Sequence, residues 1–378
     1  MFEENMKYPC LSNEEIAAVE KVLRSGKLNY WTGEEGKAFE KEYAEYLHVP
    51  HCLALANGTV ALELALHVLG IGTGDDVIVP ARTFIATASC VVARGARPIV
   101  ADVDLNSQNI TTETISAAIT PRTKAIIVVH LGGVPCDMAS IMIFAKERGL
   151  KVIEDCAQAH GAFYKGRPVG SFGDASTFSF CQDKIITTGG EGGLLVLHDT
   201  ELWKKAWAYK DHGKDYDQIS QPHSALKFRY VHSSFGTNWR MTEMQAALGR
   251  VQLKKLPQWV EIRRRNAAIL AGCFDKIPLF RTITFSAEHY NSYYRYNILI
   301  NADLLCNGWT RDKLIRVLNE YGVQCCVGSC SEIYLEKAFL NAGLGPKERL
   351  PNSKVIGETN PCLFSSSNFN GESYGGDL

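Results

Sequence analysis

Charge of either sign is nearly absent in the balance: 40 Lys and Arg stand against 41 Asp and Glu, a formal net charge of −1. So neutral a chain offers no global electrostatic footprint for nucleic acid or an anionic membrane, and neither is expected as a partner. No apolar run approaches the roughly 18 residues needed to cross a bilayer. The opening MFEENMKYPC is acidic and lacks the basic-then-apolar order of a secretory signal, so a cytoplasmic protein is expected. No internal repeat is visible. The twelve cysteines are scattered without a disulfide framework and read as thiols of a reducing compartment. Their one cluster, Cys325-Cys326-x-x-x-Cys330, has neither a C-x2-C pair nor nearby histidines, and no metal site is expected.

What is present is a chain of 378 residues, 46% hydrophobic, enough for about two domains. From His51 to Val196 short β-branched runs alternate with helix-like segments, the pattern of a sheet covered by helices. Strands are expected at Val77–Pro80, Pro98–Asp102, Ala125–Val129, Lys151–Glu154, Ala175–Ser179 and Gly193–Leu197. Several are apolar throughout, as in a parallel sheet covered on both faces. Helices are expected at Asn13–Ser25, Thr59–Leu69, Thr83–Arg94, Ser140–Lys146, Met241–Leu256, Val260–Phe274 and Arg311–Tyr321. Pro257 is read as the end of the fifth run, Met241–Leu256. Residues 1–256 form a large α/β domain on this reading, and 257–378, with strands at Tyr294–Ile300 and Val323–Val327, a smaller α+β domain. The first helix, Asn13–Ser25, is expected beside the small domain, and Ser220–Ser234 as a surface loop.

Three segments carry chemistry. Asn57-Gly58-Thr59 opens a helix, where free backbone N–H groups and the helix dipole suit a phosphate. Such turns are also plain helix starts. Asp155 follows a buried strand, the place where open α/β sheets gather ligand groups, although an aspartate there also caps helices. The run Ser179-Phe180-Cys181-Gln182-Asp183-Lys184, followed by Gly189-Gly190-Glu191-Gly192-Gly193, sets a hydroxyl, a lysine and a glycine-rich turn after a strand. Its glycines lack the G-x-G-x-x-G spacing and precede a strand, so they are no dinucleotide fingerprint, and no P-loop is present. A lysine in so apolar a context is either a loop surface residue or a reactive amine. A carboxylate for a pyridine nitrogen, an amine for an aldehyde, and N–H and hydroxyl donors for a phosphate are what pyridoxal phosphate requires.

The stretches ANGTVALELAL, GDDVIVPARTFIATA, VIEDCAQAHGA, SFCQDKIITTGGEGG and GTNWRMTEMQAALGRVQL together resemble the DegT/DnrJ/EryC1/StrS sugar aminotransferases, over about Tyr8 to Thr359. The resemblance implies a fold-type-I pyridoxal phosphate enzyme. Lys184 matches the lysine that bonds the cofactor and carries protons, and Asp155 the partner of the pyridinium nitrogen. Gly58, Thr59 and Ser179 match phosphate donors, Gln158 a residue against the ring or its 3′-oxygen, and Phe84 the aromatic residue stacked on the ring. Asn238 matches a residue that reaches the phosphate across a homodimer interface. The implied reaction moves nitrogen from glutamate to a nucleotide-linked keto sugar in amino-sugar synthesis for surface polysaccharide such as O-antigen. One branch of the family carries histidine in place of the lysine and dehydrates; Lys184 favours amination. SFCQDK and Arg82–Phe84 look most like the perosamine-synthetase-like members, and so imply a 4-keto-6-deoxy hexose.

A pyridoxal phosphate lyase or desulfurase, and a regulatory homologue without turnover, are the rival readings. His160 and His212 are read as structural rather than substrate contacts, and Trp203 and Trp207 as packing. Lys227 and Arg229 meet either a nucleotide diphosphate or solvent, and Arg240 either orients the site or starts a helix. The small domain departs from the family at Val327–Tyr334, where a histidine-containing stretch is usual. The ending PCLFSSSNFNGESYGGDL replaces a strand with a His-Pro pair and an amphipathic helix. An altered reading frame near Asn360 would leave the small domain without its last strand and helix, and residues 361–378 are expected to be irregular.

Overall fold

The computed structural model describes residues 9–219, 221–222 and 228–363. Its centre is a seven-stranded sheet in the order His51–Leu55, Gly193–Leu197, Ala175–Ser179, Lys151–Asp155, Thr123–Val129, Asp76–Pro80, Arg97–Ala101. The five strands from Ala175–Ser179 to Arg97–Ala101 are parallel, and Gly193–Leu197 runs antiparallel to both of its neighbours. All six strands expected in this region form, within two residues of their expected bounds. The His51–Leu55 edge strand and the helix Glu35–Leu47 were not anticipated.

Alternate residues of each strand enter different cores. Val77, Val79, Ile127 and Ile153 pack on one face under the helices Gly58–Val68 and Ala86–Ala93. Ile78, Ile126, Val128 and Val152 face the other way. Burial on both faces accounts for the near-continuous apolar runs of these strands.

The two helices expected on either side of Pro257 are one, Glu243–Phe274, with Pro257 inside it. A proline removes a single intrahelical hydrogen bond, and packing along both halves outweighs that loss. Met241, Leu253, Leu256 and Val260 pack with Phe39, Tyr43 and Phe180, whereas Ala267, Leu270 and Phe274 pack with Tyr296, Ile298 and Leu363. The boundary drawn at 256/257 therefore falls within a continuous element. Asn13–Ser25 lies against this same helix, tied by Lys255 to Ser12 and Glu15.

The small C-terminal sheet is made of Tyr296–Asn297, Cys362–Leu363 and Cys325–Cys326, with Cys362–Leu363 in the middle and antiparallel to both. Cys362–Leu363 is thus a strand, which corrects the reading of these two residues as irregular. The rest of the tail, 364–378, lies outside the described residues. The expected strand Tyr294–Ile300 is divided, because Leu299–Ile300 pairs instead with Phe280–Arg281.

Candidate active site

The carboxyl ends of the parallel strands converge with the turn that precedes Gly193–Leu197, the end at which open α/β sheets bind ligands. Asp155 is the last residue of its strand and is buried. Its Oδ2 accepts from Thr87 Oγ1 at 3.0 Å and its Oδ1 from the Ala157 N–H at 3.1 Å. Burial pushes its carboxyl up, while these donors and the nearby charge of Lys184 pull it down without overcoming that rise. A cation seated against Asp155 would hold it ionised, which suits a protonated pyridine nitrogen.

The strand is braced from behind. His130 Nδ1 accepts from the Cys136 N–H at 3.0 Å, so its Nε2–H donates to Glu154 Oε2, also at 3.0 Å. Glu154 further accepts from the N–H groups of Gly170, Phe172 and Gly173 and from Ser176 Oγ, so the residue next to Asp155 is held from several sides.

Gly58 is the first residue of the helix Gly58–Val68, capped by Asn57, whose Oδ1 accepts from the Val60 N–H at 3.0 Å. Ser179 adjoins it so closely that a Cβ on Gly58 would stand 2.8 Å from the Ser179 Cβ. Gly193 approaches the same turn from the other side; a Cβ there would stand 2.1 Å from the Asn57 carbonyl oxygen. Two glycines thus leave a cradle of helix N–H groups beside a hydroxyl, with Thr59 in its first turn. Its donor set fits a phosphate.

Lys184 lies in the turn after the Ala175–Ser179 strand, its N–H donating to the Cys181 carbonyl at 3.0 Å. Its Nζ is 3.2 Å from Asp183 Oδ1 and 3.4 Å from the Tyr294 hydroxyl. Tyr294 donates to Asp183 Oδ2, and Arg295 stands 3.9 Å from the same oxygen. Burial raises the Asp183 carboxyl, but Lys184, Tyr294 and Arg295 outweigh it and hold the group below its ordinary value. Gln158 is buried, accepting from the Gly132 N–H at 2.8 Å and donating to Ser329 Oγ at 3.2 Å. Phe84 precedes the helix Ala86–Ala93 and is 67% exposed, leaving its ring accessible at the same end of the sheet.

Asn238 is exposed, and its backbone bridges Asp211. The adjacent Trp239 carbonyl accepts from the Ala56 N–H at 2.9 Å, so this segment runs beside the strand that leads into the phosphate turn. Arg240 reaches the buried Asp211 at 2.7 Å and lies three residues before the helix Glu243–Phe274. His160 is a structural histidine, fixed between the Tyr43 hydroxyl and the Ser179 carbonyl at 2.8 Å each. Trp203 and Trp207 pack edge-on against Tyr216. His212 is exposed, and Arg229 donates to the carbonyls of Ile219 and Gln221; Lys227 lies outside the described residues.

Sequence reasoning missed Thr87, Tyr294, Arg295 and Ser329. Tyr294 lies in a segment read only as a strand. The hydroxyl four residues after Thr83 was the one signal for Thr87, whose Oγ1 is 2.8 Å from that of Thr83, although the helix expected from Thr83 begins only at Ala86.

A model of the DegT/DnrJ/EryC1/StrS aminotransferase family matches residues 9–374, past the Thr359 limit of the expected resemblance. The X-ray structure of the aminotransferase from Psychrobacter cryohalolentis superposes with a TM-score of 0.94 at 47% identity, over 97% of this chain and 95% of that one. The GDP-perosamine synthase of Escherichia coli O157:H7 is 39% identical over 78% of each chain. A UDP-N-acetyl-3-dehydro-alpha-D-glucosamine 3-aminotransferase of Acidithiobacillus ferrooxidans is 41% identical over 77% of this chain and 75% of its own. The cradle at Gly58, the buried carboxylate of Asp155 and the amine of Lys184 agree with these matches: the chain belongs to the DegT/DnrJ/EryC1/StrS family and is an aminotransferase whose cofactor is pyridoxal 5′-phosphate.

Proposed function

We propose that the protein transfers the amino group of glutamate to the keto carbon of a nucleotide-linked sugar, a 4-keto-6-deoxy hexose, for amino sugars of surface polysaccharide. The observation that carries the amination is the placement of Asp155, Lys184 and the Gly58–Ser179 cradle at one end of one sheet. The sugar class rests on the resemblance of SFCQDK and Arg82–Phe84 to perosamine-type members and on the GDP-perosamine synthase among the relatives.

Bound pyridoxal phosphate supplies a carbonyl that takes up and releases an amine, and a protonated ring that accepts the electron pair of a broken C–H bond. Asp155 keeps the proton on the ring nitrogen. The N–H groups of Gly58 and Thr59 and the hydroxyl of Ser179 bind the phosphate. Phe84 and Gln158 border the ring. Lys184 Nζ takes the proton from the donor's α-carbon and, in the second half-reaction, delivers one to the sugar carbon that receives nitrogen. Tyr294 and Arg295 share the charge of Asp183, which keeps Lys184 oriented toward the site between half-reactions. Asn238, exposed beside the phosphate turn, completes the site of a partner subunit in a homodimer.

The test is a coupled assay with glutamate and a panel of nucleotide-linked 3-keto and 4-keto sugars, with Lys184→Ala as control. Amination confined to 4-keto sugars and lost in Lys184→Ala is the expected result. Turnover surviving that substitution refutes the assigned role, and cofactor bound with no half-reaction on glutamate identifies a regulatory protein.

A further inference from the structure

Cys326 and Cys362 stand directly opposite each other in the antiparallel pair formed by Cys325–Cys326 and Cys362–Leu363. Opposed residues of such a pair have Cα atoms about 4.5–5.5 Å apart, within the span that a disulfide bridges. The Cys362 thiol donates to the Leu363 carbonyl at 3.9 Å. The neighbouring Cys362 thiol, aided by the Gly328 N–H and the charge of Arg295 and opposed by burial, holds the Cys326 thiol down to about 6, while Cys362 is pushed up.

The surroundings are electropositive by construction. Arg82 is fully buried, and among the described residues no carboxylate pairs with it; its partners are Ser331 Oγ and, at 3.5 Å, Asn297 Oδ1. A Cβ on Gly328 would meet the Cys362 Cβ at 3.0 Å and Arg82 Nη2 at 3.6 Å, which puts the guanidinium beside the thiols. Cys326 is partly exposed and Cys362 is buried, so the two differ in access.

We infer that Cys326 and Cys362 form a redox-active dithiol that a small-molecule disulfide converts to an intrachain cystine. The Cys326 thiolate attacks one sulfur of the external disulfide, forming a mixed disulfide and expelling one thiolate. Cys362 gives up its proton and attacks the Cys326 sulfur, expelling the second thiolate. Two protein thiols are oxidised and one external disulfide is reduced to two thiols. The loop that follows Cys326 braces the active site: Ser329 accepts from Gln158, the Cys330 carbonyl from the Thr83 N–H, and Ser331 holds Arg82. Oxidation therefore fixes the strand from which this loop springs.

The experiment equilibrates the holoenzyme with oxidised and reduced glutathione at graded ratios, quenches with acid, alkylates, and maps peptides by mass spectrometry. A single link between the peptides of Cys326 and Cys362 is expected, with loss of two hydrogen masses. It disappears in Cys326→Ser and Cys362→Ser and persists in Cys325→Ser and Cys330→Ser. If Cys362→Ser does not fold, the wild-type map and Cys326→Ser decide the matter alone. Glutathione adducts on exposed Cys273 or Cys306 without the 326–362 link, or a link to Cys362 that survives Cys326→Ser, overturns the inference.

Discussion

Thr87 and Asp155, 68 positions apart in sequence, share a hydrogen bond of 3.0 Å that links the helix Ala86–Ala93 to the end of the central strand. The hydroxyl is a donor to a carboxylate that burial alone would drive toward its neutral form. The carboxylate proposed to face the cofactor is therefore tuned from a neighbouring element.

Replacing that donor should cost rate. A hydrogen bond to a charged group contributes about 1.5–3 kcal/mol, so Thr87→Val is expected to lower kcat about tenfold or more. Asp155→Asn, which removes the charge itself, should lower it by at least about 10²-fold. Steady-state kinetics on the two variants check the order; a larger loss in Thr87→Val than in Asp155→Asn contradicts the assignment.

Tyr294→Phe removes the O–H that Asp183 accepts and the hydroxyl 3.4 Å from Lys184 Nζ. We expect kcat to fall about tenfold with the fold intact, since the ring keeps its packing. Unchanged kcat in a folded variant would show that Tyr294 only fills space.

Gly193→Ala drives a methyl group into the Asn57 carbonyl and toward the Gly58 N–H. Forcing atoms into a packed site costs about 1–3 kcal/mol, and here the atoms displaced are those of the phosphate turn. The variant should melt lower and bind pyridoxal phosphate at least about tenfold more weakly, measured by fluorescence titration. Equal affinity would remove the turn from the cofactor site.

His160 carries a pH dependence. Burial, outweighing its bond to Ser179, holds the imidazole at about 4 in the folded protein, against an ordinary value of about 6.5. Between these values the unfolded chain binds the extra proton, so stability is complete above about pH 6.5 and falls as the pH drops toward 4. The loss is on the order of 3 kcal/mol. Thermal melts from pH 7.5 to 4.5 should decline less steeply in His160→Asn than in the wild type, and parallel declines would rule this residue out as their source.

The central sheet was legible because burial on both faces writes continuous apolar runs, as at Ala125–Val129 and Gly193–Leu197. His51–Leu55 escaped because its short run HCLAL carries no β-branched residue. Asp155, Ser179 and Lys184 were legible because each sits at or just after a strand end. Tyr294 and Ser329 reach the site from segments 110 and 171 positions away, distances at which neither periodicity nor spacing carries information. Pro257 misled for a physical reason: local propensity assigned a stop, and tertiary packing on both sides overrode it.

The unbroken run from Glu243 to Phe274, about 48 Å at the usual rise, makes the helix a beam shared by the sheet that binds the cofactor and the small sheet that holds Cys362. The central sheet and the small sheet therefore rest on one continuous element rather than on two joined by a loop. Pro257 is the one residue inside this run with no N–H to donate along the helix, so the element joining the two sheets carries its single missing backbone bond there.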